Sequence, residues 1–501
     1  MEASSASDKL TQRALLRMRK ICVVIPTYNN GGTIGKVVRE TLVECQDVIV
    51  VDDGCTDDTQ TVLSAIDGIT VVRHGKNRGK GRALKSGFAK AKELGFAYVI
   101  TLDGDGQHYP KDIANILSAN IEHPEAIIIG SRKMNGVDRS GGSDFANKFS
   151  NFWFNLQTGR MVSDTQSGYR LYPLKKLHLL PLVSSRYEAE LSLMVFASWH
   201  GAEIKETPID VYYPPREERV SHFRPFMDFT RISILNTILC VMAVAYGLPL
   251  TILRFLLRML RTAYSLLVFS ITTLLIFTPL TWIYTHIGKD TDKKKMKVHK
   301  LMYHVARFVM IGHGLPGVKF KQDIAGGLNL DSEPKVIICN HQSAIDLLCM
   351  LCQTPKMIFL TKDWVRNSPF FGFIVRSADY PSSSEGIEQL IPKLKALKEK
   401  GYNIVIYPEG SRSHNGHIAR YHQGAFLIAE ALGMDIVPTT IYGTGRILDS
   451  KTMLMHPGTI EMRMEKAVTR KELDAIGTTL EQANEMRRRA RMALLQLTIN
   501  S

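Results

Sequence analysis

The first twenty residues of this 501-residue chain lack the apolar core of a secretory leader, so Met1 to Lys20 reads as a polar, basic tail or frayed helix. Internal repeats and low-complexity tracts are also missing, which argues against solenoid and disordered architectures. Cysteine is sparse: seven residues, scattered, excluding a disulfide-stapled scaffold and favouring a reducing cytoplasm. Cys349 and Cys352 have a redox spacing, but they stand in an apolar stretch with no proline between them and no second pair. Core packing is the better reading. The net charge of +15 and pI near 9.4 bring no interleaved aromatic patch and no nucleic-acid module, so nucleic acid is not the expected partner.

What is present divides into two chemistries. In the first half, Ile21 to Pro26 is a short apolar strand, and Val48 to Val51 is a second that ends in Asp52, Asp53 and Gly54. Tyr98 to Leu102 repeats the device and ends in Asp103, Gly104 and Asp105. Acids at strand C-termini point into a crevice, and glycine turns let a ligand approach the backbone. Two carboxylates at spacing two suit a hard divalent cation, Mg²⁺ or Mn²⁺, that also binds diphosphate oxygens. The segment Asn77 to Gly81 opens the next helix and reads as simple helix entry.

Residues 21–231 resemble the inverting family 2 glycosyltransferases, particularly those related to dolichyl-phosphate mannose synthase. The resemblance rests on Val24 to Asn29, Asp52-Asp53-Gly54, the Asp103, Asp105 and Gln107 run, and Asp164 to Arg170. Tyr187 to Glu190, Glu206 to Pro208 and Arg219 to His222 continue it, although Glu190 could equally be an ordinary exposed helix residue. It implies nucleotide-sugar contacts from Pro26, Asp52, Asp53, Asp103 and Arg170, and metal ligation by Asp103, Asp105 and Gln107. Arg170 is expected to clamp a phosphate, and Asp164 is the candidate base. A phosphate acceptor, already ionised, would need no base.

In the second half, Lys335 to Cys339 reads as a buried strand, followed by Asn340, His341 and, five residues beyond the histidine, Asp346. A turn lets His341 and Asp346 converge, so that a neutral imidazole takes the proton from a hydroxyl attacking a thioester while the carboxylate fixes its tautomer. Pro408 to Ser413 carries the second block. From Pro334 to Met464 the chain resembles the lysophosphatidate acyltransferase family. The match rests on His341 and Asp346, on Glu409, Gly410 and Arg412, on Lys362, Pro369 and Gly372, and on Val437-Pro438. The resemblance implies His341 as base, Asp346 as its orienting acid, and Glu409, Gly410 and Arg412 holding the acyl donor or the acceptor. Two departures remove positive charge where a phosphate would sit. Residues Ala378 to Pro392 contain no Arg or Lys, and His422 stands where the family usually has Lys. Arg376 lies too early for a clean replacement.

Between the halves, Ile232 to Leu253 and Thr262 to Thr285 are uncharged and long enough to cross a bilayer. Arg254, Arg258 and Arg261 recur between them at helical spacing, which reads as an interfacial helix. Spanning by both segments would put these arginines outside, so a monotopic hairpin or re-entrant pair fits as well. Lys289, Lys293 to Lys295, Lys297 and Lys300 suit anionic headgroups.

The expected plan is α/β: polar tail 1–20, a GT-A (Rossmann-like) nucleotide-sugar domain 21–231, a central apolar membrane hairpin 232–287, a basic juxtamembrane linker 288–333, an α/β glycerolipid-acyltransferase-like domain 334–470 and a C-terminal helix 471–501. The expected function is a bifunctional membrane-bound glycosyltransferase and O-acyltransferase, with catalytic domains on the cytoplasmic side of a bacterial inner membrane. Nucleotide-sugar, a coenzyme A or acyl carrier protein thioester and membrane lipids are the implied partners. The fused order resembles glycosyltransferase/acyltransferase proteins of aryl-polyene and flexirubin-type gene clusters. The alternative is a polyprenyl-phosphate glycosyltransferase fused to a lysophospholipid acyltransferase.

Overall fold

The structure, a computed structural model, describes residues 6–132, 141–177, 188–212, 225–287, 291–312, 314–368, 371–413, 418–449 and 452–500. Tyr187, Arg219 to His222, Lys289 and Pro369 lie outside them. The chain divides into two compact units, Met1–Arg254 and Phe255–Ser501.

In the first unit, runs containing β-branched residues form β1 (Ile21–Thr27), β2 (Val48–Asp52), β3 (Ile69–Arg73), β4 (Tyr98–Thr101), β5 (Ile127–Arg132) and β7 (Ile204–Ile209), while β6 (Arg170–Pro173) has none. They make one sheet in the order β3-β2-β1-β4-β6-β5-β7, parallel except for β6, which runs antiparallel to β4 and β5. β1 has β2 on one side and β4 on the other, so the strand order reverses there and a crevice opens at the carboxyl ends. Both acid-tipped strands end in it. The residues expected as a tail form a helix, Ala6–Met18, followed by a buried anchor. Leu16 is buried, and the Arg19 guanidinium bonds the Asn120 side chain at 2.8 Å and lies over the Tyr98 ring. A basic residue thus ties the segment to the sheet instead of solvating it.

The second unit is built on β8 (Val318–Ile324), β9 (Val336–Cys339), β10 (Met357–Phe359), β11 (Asn403–Ile406), β12 (Ile436–Tyr442) and β13 (Gly458–Met464). Their order is β10-β11-β9-β12-β13-β8, with β9 parallel to both neighbours and only the β12–β13 pair antiparallel. The expected linker 288–333 is part of this unit. The helix Thr291–Arg307 buries Val298, His299, Met302 and Ala306, and β8 closes the sheet edge. Apolar residues every three or four positions between the lysines make that helix amphipathic. The C-terminal segment is two helices, Arg470–Ile476 and Thr479–Asn500.

The apolar middle contains no hairpin turn. Helix runs without interruption from Thr230 to His286, 57 residues, long and apolar enough to cross a membrane. Pro249 and Pro279 would ordinarily break it, because each removes an N–H and clashes with the carbonyl four residues back. A π-helical turn precedes each, Ala243–Gly247 and Thr272–Phe277, and lets the helix continue. Two of the three arginines point at protein: Arg254 donates to the Trp199 carbonyl (3.2 Å), and Arg261 to that of Pro316 (2.8 Å).

Candidate functional sites

The crevice of the first unit is organised around Lys80. Its ammonium lies 2.7 Å from Asp103 and 2.8 Å from Glu190, both carboxylates largely buried. Burial would raise the Asp103 carboxyl, but the Lys80 charge overrides it and holds the group below its ordinary range. The same two carboxylates raise Lys80 against the opposing effect of burial. Gly168 packs onto this pair: a Cβ there would meet the Asp103 carboxylate at 2.5 Å, so only glycine permits the approach. Asp105 is exposed beside it, and its carboxyl is pushed up to about 6, first by partial desolvation in the crevice and then by the Asp103 charge. The carboxylate pair is short of positive charge. That fits a hard cation, with Asp103 and Asp105 as ligands and phosphate or water oxygens completing the shell. No cluster of three His, Cys, Asp or Glu ligands occurs among the described residues. Gln107 meets Asp105 through its backbone N–H (3.0 Å), not its amide.

Several expected site residues are engaged by groups of the protein itself. Asp164 is buried and accepts from five donors: the Arg132 backbone N–H, Nε and Nη2, and the N–H groups of Gln166 and Ser167. Burial alone would raise its carboxyl, but Arg132 holds it below the ordinary range. Arg170 is 1% exposed and donates to the Tyr172 hydroxyl and the carbonyls of Glu190 and Thr165. Asp53 is equally committed, to His74 Nδ1 (2.6 Å) and the N–H groups of Arg78 and Gly79, and so shapes the loop leading to Lys80. Pro26 and Asp52 are buried; Asp52 caps the turn through the Cys55 N–H. Lys80 and Arg132 escaped the sequence reading. Their partners lie 23 and 32 residues away or more, and the Gly79-Lys80-Gly81 run was the only local signal.

In the second unit, His341 leaves the end of β9 on a turn. Its Nδ1 stands 2.8 Å from Asp346 Oδ2, which also accepts from the N–H groups of Gln342 (2.6 Å) and Ser343 (2.8 Å). Asp346 is fully buried, whereas the His341 side chain is 22% exposed. The imidazole stacks on Tyr407, with centroids 4.3 Å apart and planes 24° from parallel. A carboxylate facing Nδ1 leaves the proton there and the Nε2 lone pair available. Asn340 pairs its side-chain amide with both backbone groups of Ile441, accepting at 2.7 Å and donating at 2.9 Å. Glu409 is buried. It accepts from the backbone N–H groups of His341 and Ala419, both at 2.8 Å, so it braces the turn. Burial raises its carboxyl despite those bonds. Gly410 and Arg412 are exposed, and Arg412 has no ion-pair partner among the described residues. Arg376 donates to the Arg366 carbonyl. All seven cysteines are free, with Cys349 and Cys352 buried and their thiols raised by burial.

The family model described as Glycosyl transferase family 2 matches residues 22–175, and the one described as Acyltransferase matches residues 321–442. The UDP-N-acetylglucosamine--dolichyl-phosphate N-acetylglucosaminyltransferase of Methanococcus voltae is 30% identical over 216 residues, covering 38% of this chain and 86% of the relative. The chloroplastic 1-acyl-sn-glycerol-3-phosphate acyltransferase BAT2 of Brassica napus is 30% identical over 165 residues, covering 31% of this chain and 48% of the relative. The chain thus spans about half the length of that acyltransferase. The solved acyltransferase PlsC from Thermotoga maritima aligns with a TM-score of 0.41 at 18% identity, over 49% of this chain and 97% of PlsC. By its first half the chain belongs to glycosyl transferase family 2, and residues 321–442 of its second half match the acyltransferase model.

Proposed function

We propose that the protein transfers a sugar from a nucleotide-sugar to a lipid or lipid-like acceptor in its first unit, and an acyl group from a coenzyme A or acyl carrier protein thioester to a hydroxyl in its second. The observation that carries this reading is that each unit holds its own complete set of groups: Asp103, Asp105 and Lys80 in one, His341 and Asp346 in the other. In the first, the carboxylate pair would hold Mg²⁺ or Mn²⁺, which when bound neutralises diphosphate charge as the nucleotide leaves. Lys80 keeps Asp103 ionised and aimed at the crevice mouth.

In the second, His341 Nε2 takes the proton of the acceptor hydroxyl as its oxygen attacks the thioester carbon. The carbon–sulfur bond breaks, the ester forms, and the proton passes from His341 to the departing thiolate. Asp346 stabilises the imidazolium between the two transfers. The acceptor hydroxyl is uncharged, most simply one on the glycolipid made by the first unit. Support comes from the absence of Arg and Lys in Ala378 to Pro392, from His422, and from the engagement of Arg376 with a backbone carbonyl. Arg412 serves the thioester donor. The exposed apolar face of the long helix suits the lipid phase of a bacterial inner membrane, with both sites on the cytoplasmic side where nucleotide-sugars and thioesters are made.

Lipid extracts from cells carrying the parent chain, His341→Ala or Asp105→Ala test this by mass spectrometry. The parent should give an acylated glycolipid, His341→Ala its unacylated form, and Asp105→Ala neither. Purified protein offered lysophosphatidate and octyl glucoside with one palmitoyl thioester should acylate the sugar. Preference for lysophosphatidate would instead favour the glycerolipid reading suggested by the acyltransferase relative.

A further inference from the structure

Asp346 has a partner on its far side. Oδ2 serves His341 and two backbone N–H groups, while Oδ1 accepts a hydrogen bond from the Thr444 hydroxyl at 2.5 Å. Both residues are fully buried, so no water competes for either group. Thr444 comes from the turn after β12, 98 residues downstream. The backbone there is shaped to deliver it. Gly443 has φ +94°, and a Cβ at that position would meet the Thr459 carbonyl at 2.3 Å. A Cβ on Gly445 would stand 3.3 Å from Gln342, beside the histidine. The Asn340 amide, paired with Ile441, stitches the same strand end to the same turn.

Resting on the acyl-transfer reading above, we infer that Thr444 is a positioning residue for the His341–Asp346 pair: its hydroxyl sets the carboxylate rotamer that presents Oδ2 to Nδ1. A carboxylate held only through Oδ2 can swing about its Cβ–Cγ bond, and each swing tilts the acceptor away from the imidazole N–H. With the hydroxyl in place, all the bonds that define the base's orientation are made before substrate arrives, which is where orientation contributes to rate. Thr444 touches no substrate. Its loss therefore lowers the rate of the chemical step and leaves thioester binding alone.

The test follows release of free coenzyme A from palmitoyl-coenzyme A with octyl glucoside present, using a thiol reagent. Transfer to any acceptor, water included, is read. His341→Ala sets the background. Thr444→Val removes the hydroxyl and keeps the shape, Thr444→Ala removes it without risk of a clash, and Thr444→Ser keeps it and removes only the methyl. Expected are a kcat about tenfold lower for the Val and Ala variants, with KM for the thioester unchanged, and a Ser variant within about twofold of the parent; tenfold corresponds to the lower end for a hydrogen bond to a charged group. Parental kcat in the Val or Ala variant, or a Ser variant as slow as either, would overturn the inference by showing that the hydroxyl does nothing or that the methyl's packing is what counts. Parental release by His341→Ala would instead overturn the underlying reading of the site.

Discussion

Replacing Lys80 by Met removes the only cation bonded to Asp103 and Glu190 among the described residues, at 2.7 and 2.8 Å, and leaves both carboxylates with an apolar side chain. Side-chain exposures of 16%, 25% and 8% for Lys80, Asp103 and Glu190 put the pairing among largely buried ions. Breaking such a pair by deleting one partner costs about 3–5 kcal/mol. For a domain of this size each kcal/mol moves the midpoint by about 2–4 °C, so the first unit should melt roughly 6–20 °C lower. The pH dependence has a definite sign. In the parent, the depressed Asp103 contributes stability above the ordinary carboxylate range and loses it as pH falls through the lowered value. Without Lys80, only the weaker pull of His108 and Arg170 opposes burial and the Asp105 charge, so the Asp103 carboxyl should rise. A raised carboxyl binds more protons folded than unfolded, so the variant's stability falls as pH climbs through that window. The deficit should be largest near pH 8 and smallest near pH 5. Scanning calorimetry of the full chain at both values reads it. A midpoint within about 2 °C of the parent at pH 8, or a deficit larger at pH 5, would refute the account of Lys80 as the counter-charge of the crevice.

Two further outcomes follow from the same structure. Because Asp105 is raised to about 6, protons compete with a cation below that pH, so Mn²⁺ affinity, read by the free-ion paramagnetic signal, should fall as pH drops from 7 to 5 and be lost in Asp105→Ala together with sugar transfer; unchanged Mn²⁺ binding in that variant would remove Asp105 from the ligand set. Leu266, Leu267, Leu274 and Leu275 are each more than half exposed. Changing all four to Asn should move the protein from the membrane pellet to the supernatant in high salt, where the lysines are screened, and persistent pelleting would put the anchor elsewhere.

Legibility followed sequence distance. The acids at the ends of β2 and β4 were readable because an apolar strand and its terminal residue are contiguous, and the His341–Asp346 spacing needed only a turn. Roles decided by remote partners were not. The residues around Asp164 gave no sign of Arg132, which pairs with it from β5, and those around Arg170 gave no sign of the acceptor from Glu190 that it meets. Nor did the sequence around Glu409 signal the backbone N–H of His341, 68 residues away, that it accepts from. The lysines from Lys293 to Lys300 suggested a juxtamembrane linker because charge count masks the apolar stripe beneath. The hairpin expected over 232–287 gives way to one unbroken helix, since π-helical accommodation of Pro249 and Pro279 carries no residue signature of its own.

Asn340 sets a narrow chemical tolerance beside the base. Its carboxamide offers one donor and one acceptor to Ile441 in the way a peptide unit would, extending the pairing of β9 and β12 by a rung that the backbone itself does not make. An aspartate there has the same outline but presents oxygen to the Ile441 carbonyl, and a leucine presents nothing to either group. Spontaneous hydrolysis of that one amide would therefore loosen the turn carrying His341 without altering a single catalytic atom. Loss of acyl transfer on ageing, with sugar transfer retained, would be its signature.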